Sequence, residues 1–109
     1  MGETSANHSD WTFLTSHARV LLTIFRDPAI RLRDVASICG ITERTVQAIV
    51  TDLEEAGYLT RSRGNDGRRN RYSIVQGALF RHPAEAGYQV TDLLALLSKP
   101  GDTQGPAVD

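Results

Sequence analysis

Eleven residues of this 109-residue chain have the types and spacing to contact a nucleic-acid duplex. Thr42, Arg44, Thr45, Gln47, Ala48 and Thr51 form one set, and Arg61, Arg63, Arg68, Arg69 and Arg71 the other. An arginine fork matches the acceptor pair on a guanine edge, and a glutamine amide matches adenine. Ala48 is small enough for close approach and offers a methyl to thymine, while Thr45 and Thr51 can bond phosphate oxygens. The arginine set surrounds an Asn65-Asp66-Gly67 turn with Gly64 beside it, and its local balance is +4 (five Arg, one Asp between Arg61 and Arg71). Such a tip neutralises phosphates or inserts Arg68 or Arg69 into a minor groove.

These residues need a scaffold, and the apolar pattern supplies one. Leu14, Ala18, Leu21, Leu22 and Phe25 recur at helical spacing from Thr15 or Ser16, and Asp27-Pro28 ends that helix. Ile30 to Leu32 is short enough to form a small strand. A second helix runs from about Arg33 to Cys39, closed by Gly40 as the left-handed residue. Thr42 caps a third helix, with Glu43 in its first turn, which continues to Ala56 and stops at Gly57. Its wheel puts Val46, Ile49, Val50 and Leu53 on the core side and Arg44, Ala48, Thr51 and Glu55 opposite, flanked by Thr45 and Gln47. Tyr58–Arg63 and Arg69–Val75 read as the arms of a hairpin. Pro83 is well placed to open a last helix, with Gln89 as a later alternative start because Gly87 interrupts the first half.

The expected fold class is mainly α with a small β-hairpin (α+β), a winged helix-turn-helix. Residues 1–10 and 99–109 are expected to be flexible tails around one domain over 11–98, with a dimerisation helix at about 83–98. Trp11, Phe13, Leu14, Val90, Leu93, Leu94 and Leu97, with Tyr88, make an apolar set too large for the free surface of so small a domain. A homodimer is favoured over packing within one protomer. Trp11 and Phe13 are also candidates for lining a small-molecule cavity, with packing the plainer use.

Composition excludes several classes. The net charge is −1, but the arginines are segregated from Asp52, Glu54, Glu55 and the acidic tails, and it is the local field that steers an anion. Eleven arginines to one lysine suit bidentate contacts and equally reflect a GC-rich genome. The lone Cys39 excludes an internal disulfide and reads as a buried thiol rather than a redox sensor. His8, His17 and His82 share no ligand spacing with one another or with Cys39, so no metal or other cofactor is expected. No apolar run is long enough to span a membrane and no leader pattern opens the chain, so the expected location is the cytoplasm. Enzyme chemistry is not expected, for no acid–base pair, activated nucleophile or phosphate loop is present.

The spacing Ala36…Gly40…Val46, followed by the run Val50-Thr51-Asp52-Leu53-Glu54-Glu55-Ala56-Gly57-Tyr58-Leu59, resembles the winged helix-turn-helix transcriptional regulators, and among them the small regulators of the MarR and ArsR type. The resemblance covers about residues 15–97. It implies that the third helix is a recognition helix, that the hairpin is a wing, and that terminal helices hold a homodimer. The ArsR-type metal-binding cysteine pair is absent around Val35–Gly40, so metal sensing is not implied, and an effector is left open. A two-fold dimer would set two recognition helices about 34 Å apart, matching a palindrome. The competing expectation is a winged-helix module that binds protein, for which Glu54, Glu55 and the net acidity speak.

Overall fold

The structure is a computed structural model and describes residues 11–63 and 70–98. Four helices, α1 (Ser16–Arg26), α2 (Leu32–Cys39), α3 (Glu43–Glu55) and α4 (Val90–Leu96), surround an antiparallel hairpin, β1 (Leu59–Arg63) with β2 (Asn70–Ile74). The expected α+β class holds.

Local chemistry sets the helix ends. Thr15 caps α1 by accepting the Ala18 N–H at 3.1 Å. Gly40 closes α2 at φ 72°, a left-handed conformation that costs an L side chain about 1–2 kcal/mol. Two residues later Thr42 Oγ1 accepts the Thr45 N–H at 3.1 Å and starts α3. The α2–α3 turn therefore spans only Gly40, Ile41 and Thr42, short enough to lock the two helices at one angle. Gly57, at φ 87°, ends the reversal from α3 into β1.

Val20, Leu21 and Ile24 of α1 meet Val35 and Ala36 of α2 and Val46, Ile49, Val50 and Leu53 of α3 in one core. Leu59 and Tyr72 close it from the hairpin, and Val90 and Leu94 from α4. Thr23, buried among them, donates its hydroxyl to the Arg19 carbonyl at 2.8 Å and lies 3.6 Å from Cys39 Sγ. Cys39 is half-buried, as a small core residue at a helix end should be.

Two expected elements differ. Ile30 and Arg31 form no strand, and Leu32 is already the first residue of α2. Just before that segment, the Pro28 carbonyl accepts the Tyr72 N–H of β2 at 2.9 Å. Of the two expected starts for the last helix the later one holds: it begins at Val90 with Gln89 as its N-cap, not at Pro83. Pro83–Glu85 makes one 3-10 turn, capped by His82 Nδ1 accepting the Ala84 N–H at 3.0 Å. Gly87 then turns left-handed at φ 95°, and the chain folds back so that Phe80 N–H reaches the Tyr88 carbonyl and Leu79 bridges Gln89. A helix through 83–89 would forfeit that pairing.

Candidate nucleic-acid interface

The inner stripe of α3 is buried from Val46 to Leu53, which fixes the helix's rotation and turns Arg44, Thr45, Gln47, Ala48 and Thr51 to solvent. Neither Arg44 nor Gln47 has a side-chain partner among the described residues. Their separation of three puts them on adjacent turns of one face, and Ala48, four residues after Arg44, leaves room beside them for a backbone to approach. This is an unspent donor set on a rigid element.

The threonines are less available. Thr42 is engaged as the cap, and its hydroxyl also donates to Thr45 Oγ1 at 2.9 Å. Thr45 keeps its own proton to give. Thr51 spends its proton on the Gln47 carbonyl at 3.1 Å, so the phosphate bond expected of it would have to displace that bond.

The pleat divides the arginines. Arg61 pairs with Tyr72 and Leu59 with Ile74, and this face carries the buried Leu59 and Tyr72. Arg71, opposite Ser62, lies on the other face with Thr60 and Ser73 and is exposed. Arg61 was expected among the DNA contacts, but its Nε and Nη2 donate to both Glu54 carboxylate oxygens at 3.0 and 2.9 Å. Its guanidinium pKa is raised by that bond first, against a smaller opposing effect of burial. An arginine forked onto a carboxylate offers little to a phosphate. Arg63 ends β1 in register with Asn70, and Arg68 and Arg69 lie outside the described residues, as do the Asn65-Asp66-Gly67 turn and both expected tails.

Two further cations went unnoticed in the sequence. Arg31 and Arg33 flank the first residue of α2 and are exposed, with no side-chain partner among the described residues. Exposed arginines at a helix start add to the attraction its free N–H groups exert on an anion. The signal was two arginines at the start of the first helix of a helix-turn-helix. Elsewhere, Asp52 bonds His17 Nε2 at 2.8 Å, and both line an open cavity of about 530 Å³ with Glu55 and Arg81.

The expected dimerisation set is split by burial. Val90 and Leu94 face the protomer's own core and are not surface residues, a correction to their expected role. Leu93 is half-buried, Leu97 is 39% exposed, and Trp11 and Phe13 are 71% and 92% exposed, stacked edge to face at 5.2 Å. The segment bearing them, bent at Phe13 and Leu14, is tied to α1 by Arg19, which donates to the Thr12 hydroxyl and the Leu14 carbonyl. Phe13, Leu14, Ala18, Phe80, Tyr88 and Leu93 line a mainly apolar groove of about 670 Å³. No described helix is long and apolar enough to cross a membrane.

A family model described as the MarR family matches residues 12–69, more than half of the chain. No match was found among curated protein sequences. Among solved structures, Streptococcus pneumoniae FabT in complex with DNA superposes with TM-score 0.52 at 19% identity, over 66% of this chain and 50% of that one. A MepR variant of S. aureus bound to an oligodeoxyribonucleotide gives 0.50 at 19%, over 64% and 51%. The PcaV transcriptional regulator of Streptomyces coelicolor, in complex with its natural ligand, gives 0.54 at 21%, over 84% and 66%. At these identities the superpositions establish the shared fold. This chain spans about half the length of the two DNA-bound proteins.

Proposed function

Because this chain belongs to the MarR family, we propose that it is a sequence-specific duplex-DNA-binding transcriptional regulator that reads a major groove through the first turns of α3. The observation that carries this is the exposed trio Arg44, Gln47 and Ala48, the first two without a side-chain partner among the described residues, on a helix whose rotation is fixed by four buried residues. Arg44 takes a guanine edge or a phosphate, Gln47 an adenine, and Ala48 a thymine methyl. Arg71 and the remaining wing arginines Arg63, Arg68 and Arg69 serve the backbone or the minor groove. Arg31 and Arg33 join them as phosphate contacts at the start of α2. FabT and MepR, which share the fold, bind DNA, and this supports the reading.

We further propose that two copies act together, each giving Trp11, Phe13, Leu93 and Leu97 to a shared apolar interface in the cytoplasm. The exposure of Trp11 and Phe13 supports this, since a small domain gains nothing from leaving them in water. The groove beside Phe13 and Tyr88 is the candidate place for a small-molecule effector.

Fluorescence anisotropy against a random duplex pool, with selection of bound sequences at two salt concentrations, tests the proposal. A palindromic site bound by two chains is expected, with log affinity falling by about 0.9 per phosphate contact for each unit of log salt. Absent or salt-insensitive binding would overturn it in favour of a protein-binding module.

A further inference from the structure

The last turn of α3 carries Glu54 and Glu55 and no basic residue. Two carboxylates there oppose the helix dipole, and on a DNA-facing element they also oppose the phosphates. Neither effect favours an acid at position 54 unless something else holds it. Arg61, seven residues on and across the Gly57 reversal, does: its fork meets both carboxylate oxygens. Only a planar guanidinium can make that pair of parallel hydrogen bonds, which fixes an angle as well as a distance. Arg61 lies in register with Tyr72, whose ring is 3% exposed and whose N–H is bonded to Pro28. The clamp therefore joins the end of α3 to the middle of the hairpin at the point where the hairpin is itself anchored to the core.

We infer that Glu54 and Arg61 are positioning residues that set the angle of the wing to α3, and through it the selectivity for an operator, without touching DNA. This rests on the reading of α3 and the hairpin as the DNA-binding elements. Leu59 and Tyr72 hold the base of the hairpin in the core that α3 shares, but a two-stranded ribbon extending beyond such an anchor is by itself free to twist and swing. A wing that swings still finds phosphates but loses its register with the groove that α3 reads. Glu54 thus improves specific binding although its charge is of the wrong sign for DNA.

The two possible roles of Arg61 give opposite results for Glu54. If Arg61 contacts phosphate, Glu54→Gln removes a competitor and a negative charge, and binding tightens. As a clamp, Glu54→Gln weakens binding to the selected duplex by about tenfold and leaves binding to random duplex within about twofold. Arg61→Gln does the same with the wild-type salt slope retained, and Arg61→Lys, which keeps the charge and loses the fork, matches Arg61→Gln.

The experiment measures anisotropy of the full chain and of Glu54→Gln, Arg61→Gln, Arg61→Lys and the charge swap Glu54→Arg/Arg61→Glu. The probes are the best duplex selected by the wild type and a random duplex, over a salt series. Hydrogen exchange of the β1 and β2 amides in the free proteins is followed in parallel. Faster wing exchange in each single variant, partial recovery in the swap, and loss confined to the selected duplex are expected. Tighter binding by Glu54→Gln, or a salt slope shallower by about 0.9 in Arg61→Gln on both duplexes, would overturn the clamp and make Arg61 a phosphate contact. Wing exchange unchanged in all variants would overturn it as well. Failure of the wild type to bind any duplex would instead overturn the reading of function, and the clamp's role in selectivity with it.

Discussion

The helices α3 and α4 obey the same apolar periodicity and meet the same core, yet they are built to different standards. Thirteen residues long, α3 buries four apolar side chains and is capped by a threonine hydroxyl. By contrast, α4 has seven residues and buries Val90 and Leu94, and its N-cap residue Gln89 makes no side-chain bond. On α3 the outward face is polar, and its Arg44 and Gln47 side chains have no partner among the described residues; on α4 it includes Leu96, which is left exposed with the C-cap Leu97. Periodicity tells which side of a helix is apolar. It does not tell whether that side meets its own protomer or something else, because both cases produce the same stripe.

Substitutions on the two helices can break this contrast or sharpen it. The largest effect is expected from Leu94→Ala, which leaves a cavity beside Val20 and Ile24's core and should cost about 2–5 kcal/mol in urea unfolding. Leu97→Ala, three residues on, should change protomer stability by less than about 1 kcal/mol and act on dimer dissociation, read by sedimentation. Equal losses from both would mean that α4 is wholly a core helix. Next comes Arg44→Ala, expected to reduce operator affinity by about 1–3 kcal/mol and relax preference at one base position, with unfolding unchanged. A uniform loss on all sequences would demote Arg44 to a phosphate contact.

Smaller effects test the caps. Thr42→Ala removes the acceptor for the Thr45 N–H and should destabilise the fold by about 1 kcal/mol. Circular-dichroism melts would register it as a few degrees, and a shift within error would show that Thr45 finds another partner. The smallest effect should have the opposite sign. Gln89→Asp supplies α4 with the cap it lacks and should raise stability by up to about 1 kcal/mol. No gain would indicate that the backbone bridge from Leu79 already fixes that end.

Most of the scaffold was legible because it is governed by local chemistry. Thr15, Gly40, Thr42 and Gly57 punctuate the chain where each must, since capping and left-handed turns involve residues within a few positions. The outward set Arg44, Gln47 and Ala48 followed from helix geometry once the inner stripe was known. The start of α4 was less legible: Pro83 is a sound opening residue, and only pairing between Phe80 and Tyr88, and between Leu79 and Gln89, displaces the helix to Val90. The partners of Thr51 and Arg61, the Gln47 carbonyl and the Glu54 carboxylate, were illegible for the same reason.

By itself, then, the sequence determined the helix-turn-helix, the hairpin, the rotation of α3 and the family to which the chain belongs. Tertiary structure alone decided that Glu54 belongs to Arg61, and that Val90 and Leu94 are core while Trp11 and Phe13 are surface. The physical reason is one of range. Caps, turns and helical faces are settled within a turn or two of the chain, whereas a charge or an apolar side chain is spent on whichever partner the completed fold brings within about 3–4 Å.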